Sequence, residues 1–169
     1  MSIIRQTAER MIRYEQGNSR KIEHLLKVTM YARLIALGEI EDPADRELVE
    51  LAALTHDIGI RPALEKYGSA AGPLQEQEGP PIAERMLRDL GIGEDRIRRI
   101  CTLIGMHHTL DPVGGLDHQI IIEADYLVNA AEQGASQDEI AAFRDQHFRT
   151  ETGVSLLNAV FFHDADQSM

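Results

Sequence analysis

A chain of 169 residues is long enough for one domain with a hydrophobic core, and its 43% hydrophobic and 27% charged residues are ordinary for a globular protein. A formal net charge of -11 disfavours general binding to a nucleic-acid backbone, although a local cation could still attract a small phosphorylated substrate. The single cysteine, Cys101, excludes an internal disulfide and a zinc site built from cysteines.

The hydropathy of whole segments bears on the location of the protein. No apolar run approaches the length of about 20 residues that a membrane-spanning helix needs. The first six residues include charged and polar side chains where a signal peptide would be apolar. We therefore expect a cytoplasmic protein that does not contact membranes.

Apolar residues recur at helical spacing along nearly the whole chain, and the alternation typical of strands is absent. Only 5% of the residues are aromatic, so the core must consist mainly of aliphatic side chains, which suits packed helices. The sequence thus predicts an all-α protein, a single-domain helical bundle. The first three helices are expected near residues 3–16, 20–37 and 42–58, the last with Asp42 as its N-cap and Pro43 in its first turn.

A stretch rich in glycine, proline and polar residues follows, from Gly59 to Gly79. Its composition and length predict a functional loop, and Pro80-Pro81 predicts the start of the fourth helix after it. The fifth helix is expected to begin at Glu94, and the remaining helices near residues 117–132, 137–148 and 151–162. The apolar face of the last two helices is compatible with core packing or with a homodimer.

Several polar residues lie on otherwise apolar helix faces. Residues three or four apart share a face, which places His24, His56, Asp57 and Asp125 toward the core of the predicted bundle. The adjacent pair His107-His108 follows apolar residues of the fifth helix in the same way.

A buried carboxylate needs a partner, and no Lys or Arg lies on the same faces as Asp57 and Asp125, although a distant one could pair with them. Two histidines and two carboxylates that converge on a divalent cation would satisfy all four groups at once. Nitrogen and oxygen ligands without thiolate suit Mn, Fe, Ni, Co, Zn or Mg.

Each of these residues also has a simpler interpretation. A single inward histidine is more often a satisfied core residue, and an inward aspartate is more often a helix cap or a member of an ion pair. His118, His147 and His163 fit no constellation, so we interpret them as surface or packing residues. The metal hypothesis depends on the combination, because its members lie on four separate helices.

The ordered set resembles the signature of the HD-domain superfamily of metal-dependent phosphohydrolases. The signature is carried by His24, by His56-Asp57 within LAALTHDIG and by Asp125 within IIIEADYLVN, and the segment GPLQEQEGPPIAERML is similar to a group of small bacterial members. The resemblance covers about residues 20–130. It implies an all-α HD domain over residues 1–169, with flanking helices at both ends.

The resemblance also implies roles for individual residues. The four signature residues would hold a first metal ion, and Asp57 would bridge to a second ion and orient or deprotonate the attacking water. His107 and His108 would help to hold the second ion. Related two-metal proteins supply a further histidine after the long loop, and here Glu78 could replace it. One ion and two ions therefore both remain open.

Many members continue the motif as HDIGK, with the lysine near phosphate, whereas this chain reads HDIGIR. Lys27, Arg61 or Lys66 could contact the substrate phosphate in its place, or each could be a solvated surface cation. The implied reaction is hydrolysis of a phosphate ester or nucleotide by a metal-activated water. A non-catalytic module that binds metal or nucleotide, a di-iron oxygenase on the same fold, and a helical interaction domain are the alternatives.

Overall fold

The computed structural model describes residues 2–111 and 113–162, and within these ranges the regular secondary structure is helical throughout. The helices are α1 (Ile3–Tyr14), α2 (Ser19–Glu39), α3 (Pro43–Thr55), α4 (Ile60–Tyr67), α5 (Gly72–Arg88), α6 (Glu94–Ile104), α7 (Leu116–Gln133), α8 (Gln137–His147) and α9 (Glu151–Phe161). The predicted all-α class is confirmed. His163, interpreted above as a surface or packing residue, lies outside the described residues.

The prediction of a long loop from Gly59 to Gly79 is wrong, because this stretch forms α4 and the first half of α5. Gly68 ends α4 in the left-handed conformation, with φ of 67°. Pro80-Pro81 does not begin a helix but lies inside α5, which starts at Gly72.

Two glycines in this stretch serve close packing. A Cβ atom on Gly59 would lie 2.3 Å from the carbonyl oxygen of Gln75, and one on Gly79 would lie 2.7 Å from Cγ2 of Ile104. The absence of side chains lets α5 approach the turn after α3 and the end of α6. The glycines that looked like loop residues therefore join helices together.

Helices α2, α3 and α7 pack against one another and contribute much of the core, and α5 packs against α6. The facing surfaces combine small and branched residues, such as Ala32 and Ile35 of α2 and Ala124 and Leu127 of α7, all of which are buried. Each fully buried large aliphatic side chain stabilises the fold by roughly 1.5–3 kcal/mol. His24 and Asp125 belong to the same two helices, and their side chains are 5% and 15% exposed.

Helix α9 packs against α2 and α7, and its Leu157 is fully buried. This part of the C-terminal apolar face therefore packs in the core, which is one of the two interpretations given above. The other, a homodimer, stays a prediction. Among the described residues, the helices are too short or too polar to cross a membrane.

A buried carboxylate fixes the start of α9. Glu123 of α7 is fully buried, and its Oε1 accepts hydrogen bonds from the backbone amides of Arg149 and Thr150, at 2.7 and 3.0 Å. Its Oε2 accepts one from the hydroxyl of Thr150, the N-cap of α9. An acidic group at a helix N-terminus satisfies amides that lack helical partners.

This arrangement predicts an unusual outcome for Gly153→Ala. In a helix interior this change ordinarily stabilises a protein by about 0.5–1 kcal/mol. Here the new Cβ would lie 1.9 Å from Oε2 of Glu123, which cannot retreat without losing its hydrogen bonds. We expect the free energy of unfolding to fall by about 2 kcal/mol, measured by urea denaturation. Ser155→Ala, at an exposed position of α9, is the control and should leave it unchanged or slightly higher.

Cys101 gives a pH-dependent prediction. Burial raises the pKa of its thiol to about 11. The reactive thiolate would then be roughly one part in a thousand at pH 8, and we expect slow alkylation of the folded protein by iodoacetamide, increasing with pH up to about 11. Mass spectrometry after timed quenching measures the rate. Alkylation as fast as that of the urea-unfolded chain at pH 8 would contradict this prediction.

Candidate metal centre

The ends of two helices and the faces of two others converge on one buried region. His24 lies in the second turn of α2, and Asp125 lies near the middle of α7. His56 is the C-cap of α3, with Asp57 next to it, and His107 lies in the turn after α6. His24, His56, Asp57 and His107 are each at most 5% exposed.

Three imidazole Nε2 atoms face two carboxylates. Oδ1 of Asp125 lies 3.2 Å from Nε2 of His24 and 3.4 Å from Nε2 of His56. Oδ2 of Asp57 lies 3.4 Å from Nε2 of His24. Oδ1 of Asp57 lies 3.6 Å from Nε2 of His56 and 3.4 Å from Nε2 of His107. The sequence prediction that these groups point inward and meet agrees with this arrangement.

The other ring nitrogen, Nδ1, of His56 and of His107 is hydrogen-bonded to a backbone carbonyl. Nδ1 of His56 donates to the oxygen of Ala53 over 2.8 Å, and Nδ1 of His107 donates to the oxygen of Ile104 over 2.6 Å. A carbonyl can only accept, so the proton of each neutral ring belongs on Nδ1. The lone pair is then on Nε2, which is the atom that faces the carboxylates.

His24 has the same orientation through a different partner. Its Nδ1 lies 3.0 Å from Oε2 of Glu132, whose Oε1 in turn accepts from Lys27 over 2.5 Å. A carboxylate behind an imidazole is the usual outer-sphere support of a metal-binding histidine, since it fixes the ring and increases the basicity of the other nitrogen.

This arrangement leaves a specific set of atoms without hydrogen-bond partners. Among the described residues, the buried side-chain atoms without one are Nε2 of His24, His56 and His107 and Oδ1 of Asp125. Unpaired buried polar atoms are rare and costly, yet these four line one buried region. Divalent cations would satisfy them, because the nitrogen and oxygen donors present fit one ion beside His24 and His56 and a second beside His107.

The electrostatics of the group agree with this fit. Burial alone would raise the pKa of Asp57, but the imidazoles of His56 and His107 hold it well below its usual range. Burial opposes ionisation of Asp125 too, yet its pKa is lowered, because the imidazoles of His24 and His56 lie 3.2 and 3.4 Å from its Oδ1. Both aspartates are therefore anionic, and the site requires positive charge.

Two overlapping groups of residues could each hold an ion. In the first, ligand atoms of His24, His56 and Asp57 lie within 4.8 Å of one another, and in the second, those of Asp57, His107 and His108 do. Asp57 belongs to both groups. His108 is exposed, and its Nε2 lies 3.2 Å from Oε1 of Gln75, so the second group is the more open one.

Four other predicted site residues have partners outside these groups. Glu78 accepts hydrogen bonds from Lys66 and Tyr67 and belongs to neither group, because the helical course of α5 turns it toward α4. Lys66 is thereby paired with Glu78 as well. Arg61 donates to the carbonyl oxygen of Tyr14 over 2.8 Å and pairs with a glutamate of its own helix. Lys27, as described above, pairs with Glu132.

Lys21 is a site residue that the sequence reasoning missed. Its Nζ lies 2.6 Å from Oδ2 of Asp57, and its side chain is only 17% exposed. The cation that pairs with Asp57 therefore comes from a different helix, α2, which is the distant partner that the sequence left open. Lys21 precedes His24 by three residues, so helical spacing could have identified it.

Two residues of α7 were also missed. Glu132 supports His24, and Asn129 donates from Nδ2 to Oδ2 of Asp125 over 2.8 Å. They follow Asp125 by seven and four residues, which places all three on one face of the helix. Helix α7 therefore provides one candidate ligand and two supporting groups.

The remaining described histidines are packing residues, as expected. Nδ1 of His118 accepts from the amide of Gly114 over 2.9 Å, and its Nε2 donates to the carbonyl of Met106 over 2.8 Å. His118 thus ties the turn that contains His107 to α7. His147 packs against the ring of Phe143, with 4.5 Å between the centroids.

Comparison with known proteins supplies one match. The family model described as HD domain matches residues 22–166, which is most of the chain. Comparisons with curated proteins and with solved structures give no match. The chain therefore belongs to the HD domain family, a superfamily of metal-dependent phosphohydrolases.

Proposed function

We propose that this protein hydrolyses a phosphate ester with a water activated at the metal centre. The observation that carries the proposal is the set of four buried, unpartnered atoms on His24, His56, His107 and Asp125. A divalent ion bound there would lower the pKa of a water ligand and polarise a phosphoryl oxygen. Nucleotide substrates, a cytoplasmic location and a homodimer stay predictions.

The residues divide between two ions. His24, His56, Asp57 and Asp125 would hold the first, and Asp57, His107 and His108 would hold the second. These nitrogen and oxygen ligands suit Mn, Fe, Ni, Co, Zn or Mg. The first group is closed and buried, whereas the second includes the exposed His108, so we expect the second ion to bind more weakly.

Asp57 has the central role in the proposed reaction. Its two oxygens face different neighbours, because Oδ1 approaches His107 and Oδ2 approaches His24 and Lys21. A carboxylate in this position can orient the attacking water through Oδ1. The ammonium of Lys21 keeps Oδ2 anionic and leaves two further N–H groups of the lysine for a phosphate oxygen.

The first test replaces a ligand. In His56→Ala we expect the affinity for Mn²⁺ to fall by at least ~100-fold, together with loss of divalent-dependent hydrolysis of p-nitrophenyl phosphate, because loss of even a supporting group costs 10- to 100-fold. Elemental analysis and calorimetric titration measure the binding. His147→Ala is the control, since His147 belongs to neither group, and should retain both properties. A wild-type protein that takes up no ion would refute the metal centre, and one that binds the ion without hydrolysing any phosphate ester would leave a binding module.

The second test separates the roles of Lys21 and the ion. Both supply positive charge to the buried Asp57, so each matters most when the other is absent. In Lys21→Met we expect the free energy of unfolding to fall by about 2 kcal/mol in EDTA and by clearly less with saturating Mn²⁺. Urea denaturation under both conditions measures the difference.

Lys27→Met is the matched control for that test. Lys27 is 48% exposed and pairs with Glu132, so its removal should cost under about 1 kcal/mol in either condition. Equal losses for Lys21→Met with and without the ion would show that the lysine and the cation do not share Asp57.

A further inference from the structure

A small cavity of about 200 Å³ adjoins the metal centre. Its lining includes the candidate metal ligands Asp125, His107 and His108 and the aromatic side chains of Tyr126 and Phe143, which form an aromatic wall. A group held at the ions therefore shares this cavity with the aromatic wall. Cavities that accept drug-sized ligands span roughly 300–1,000 Å³, so this one suits a compact group.

The aromatic wall is rigid and fixed relative to the ligands. The rings of Tyr126 and Phe143 are stacked, with 3.6 Å between the centroids and 3° between the planes. Tyr126 also meets the buried Phe148 edge to face, at 6.0 Å and 78°. Because Tyr126 directly follows Asp125 on α7, the distance from the wall to the metal centre is set by the helix backbone.

The charge of the cavity limits what it can accept. Among the described residues that line it there is no Lys or Arg, and the other lining side chains are Leu110, Ile122 and Asn129. A second or third phosphate in this space would be desolvated without a compensating cation, which is costly. The Nδ2 of Asn129 is directed to Asp125, and no described residue occupies its amide oxygen, which can accept one hydrogen bond from a ligand.

We propose that the substrate is a phosphomonoester whose organic group is compact, uncharged and planar, lying on the wall of Tyr126 and Phe143, and not a nucleoside di- or triphosphate. This inference rests on the proposed function, because the phosphate is assumed to bind at the ions. Because the two rings cover one face of each other, a flat ring would meet them at their remaining faces and edges, where aromatic contacts are still attractive. Leu110 and Ile122 complete an apolar lining.

Binding of non-hydrolysable probes tests the proposal directly. Phenylphosphonate and methylphosphonate carry the same charged group and differ in the ring. For the Mn²⁺-loaded protein, calorimetry should show phenylphosphonate binding at least about 10-fold more tightly. Quenching of tyrosine fluorescence by the bound ring gives a second readout, and this chain has no tryptophan to obscure it.

Substitution of an aromatic residue of the wall should weaken the preference for phenylphosphonate over methylphosphonate and leave the other binding properties unchanged. In Phe143→Leu we expect the ratio of the two affinities to fall about 5-fold, while the affinities for methylphosphonate and Mn²⁺ stay unchanged. Phe161→Leu, in α9 and outside the cavity lining, is the matched control and should keep the wild-type ratio.

A comparison on the wild-type protein covers the case in which Phe143→Leu fails to fold. We expect kcat/KM for phenyl phosphate to exceed that for ATP at least about 100-fold. Equal affinity for the two phosphonates, or a preference for ATP, would overturn the inference and leave the metal-dependent hydrolysis intact. Failure of the Mn²⁺-loaded protein to bind either phosphonate would overturn both proposals.

Discussion

Three imidazole lone pairs and two carboxylates share a buried space, and four of their atoms have no hydrogen-bond partner among the described residues. The rings cannot resolve this by rotating, because backbone carbonyls hold Nδ1 of His56 and His107 and Glu132 holds that of His24. Positive charge must therefore enter, either as protons on the rings or as a metal ion. Lys21 supplies part of it at one oxygen of Asp57, and the unpartnered atoms mark where more is required.

At two places in this fold, one hydrogen bond both ends a helix and orients a candidate ligand. A helix leaves its last carbonyls without intrahelical donors, and a histidine placed just beyond can donate to one of them. His56 does so at the end of α3 and His107 at the end of α6. The close approach allowed by Gly59 and Gly79 packs α5 between these two ends, so backbone contacts help to set the spacing of the site.

The sequence predicted the parts of the site that depend on periodicity. His24 and Asp125 lie on helices with unbroken apolar faces, and their inward direction follows from residue spacing alone. The same spacing places Lys21 on the face of His24 and Glu132 on the face of Asp125. The prediction of Glu78 as a possible ligand of the second ion assumed that residues 59–79 form a loop. Glu78 lies instead in α5, where it pairs with Lys66. Glycine suggests flexibility from sequence alone, and only the packed structure reveals that Gly79 is needed for contact with Ile104.

The charge pattern explains how an acidic protein could still select a phosphate. Asp57, Asp125 and Glu132 make the region around the centre anionic, and Lys21 and Lys27 are already paired with two of them. An anionic substrate would be repelled from such a site unless further positive charge were present. The excess negative charge of the site thus has two consequences. It requires a bound cation, and an anionic substrate could bind only when that cation is present. If phosphate is held at the ions beside Lys21, discrimination among the organic groups of substrates would fall to the cavity lined by Tyr126 and Phe143.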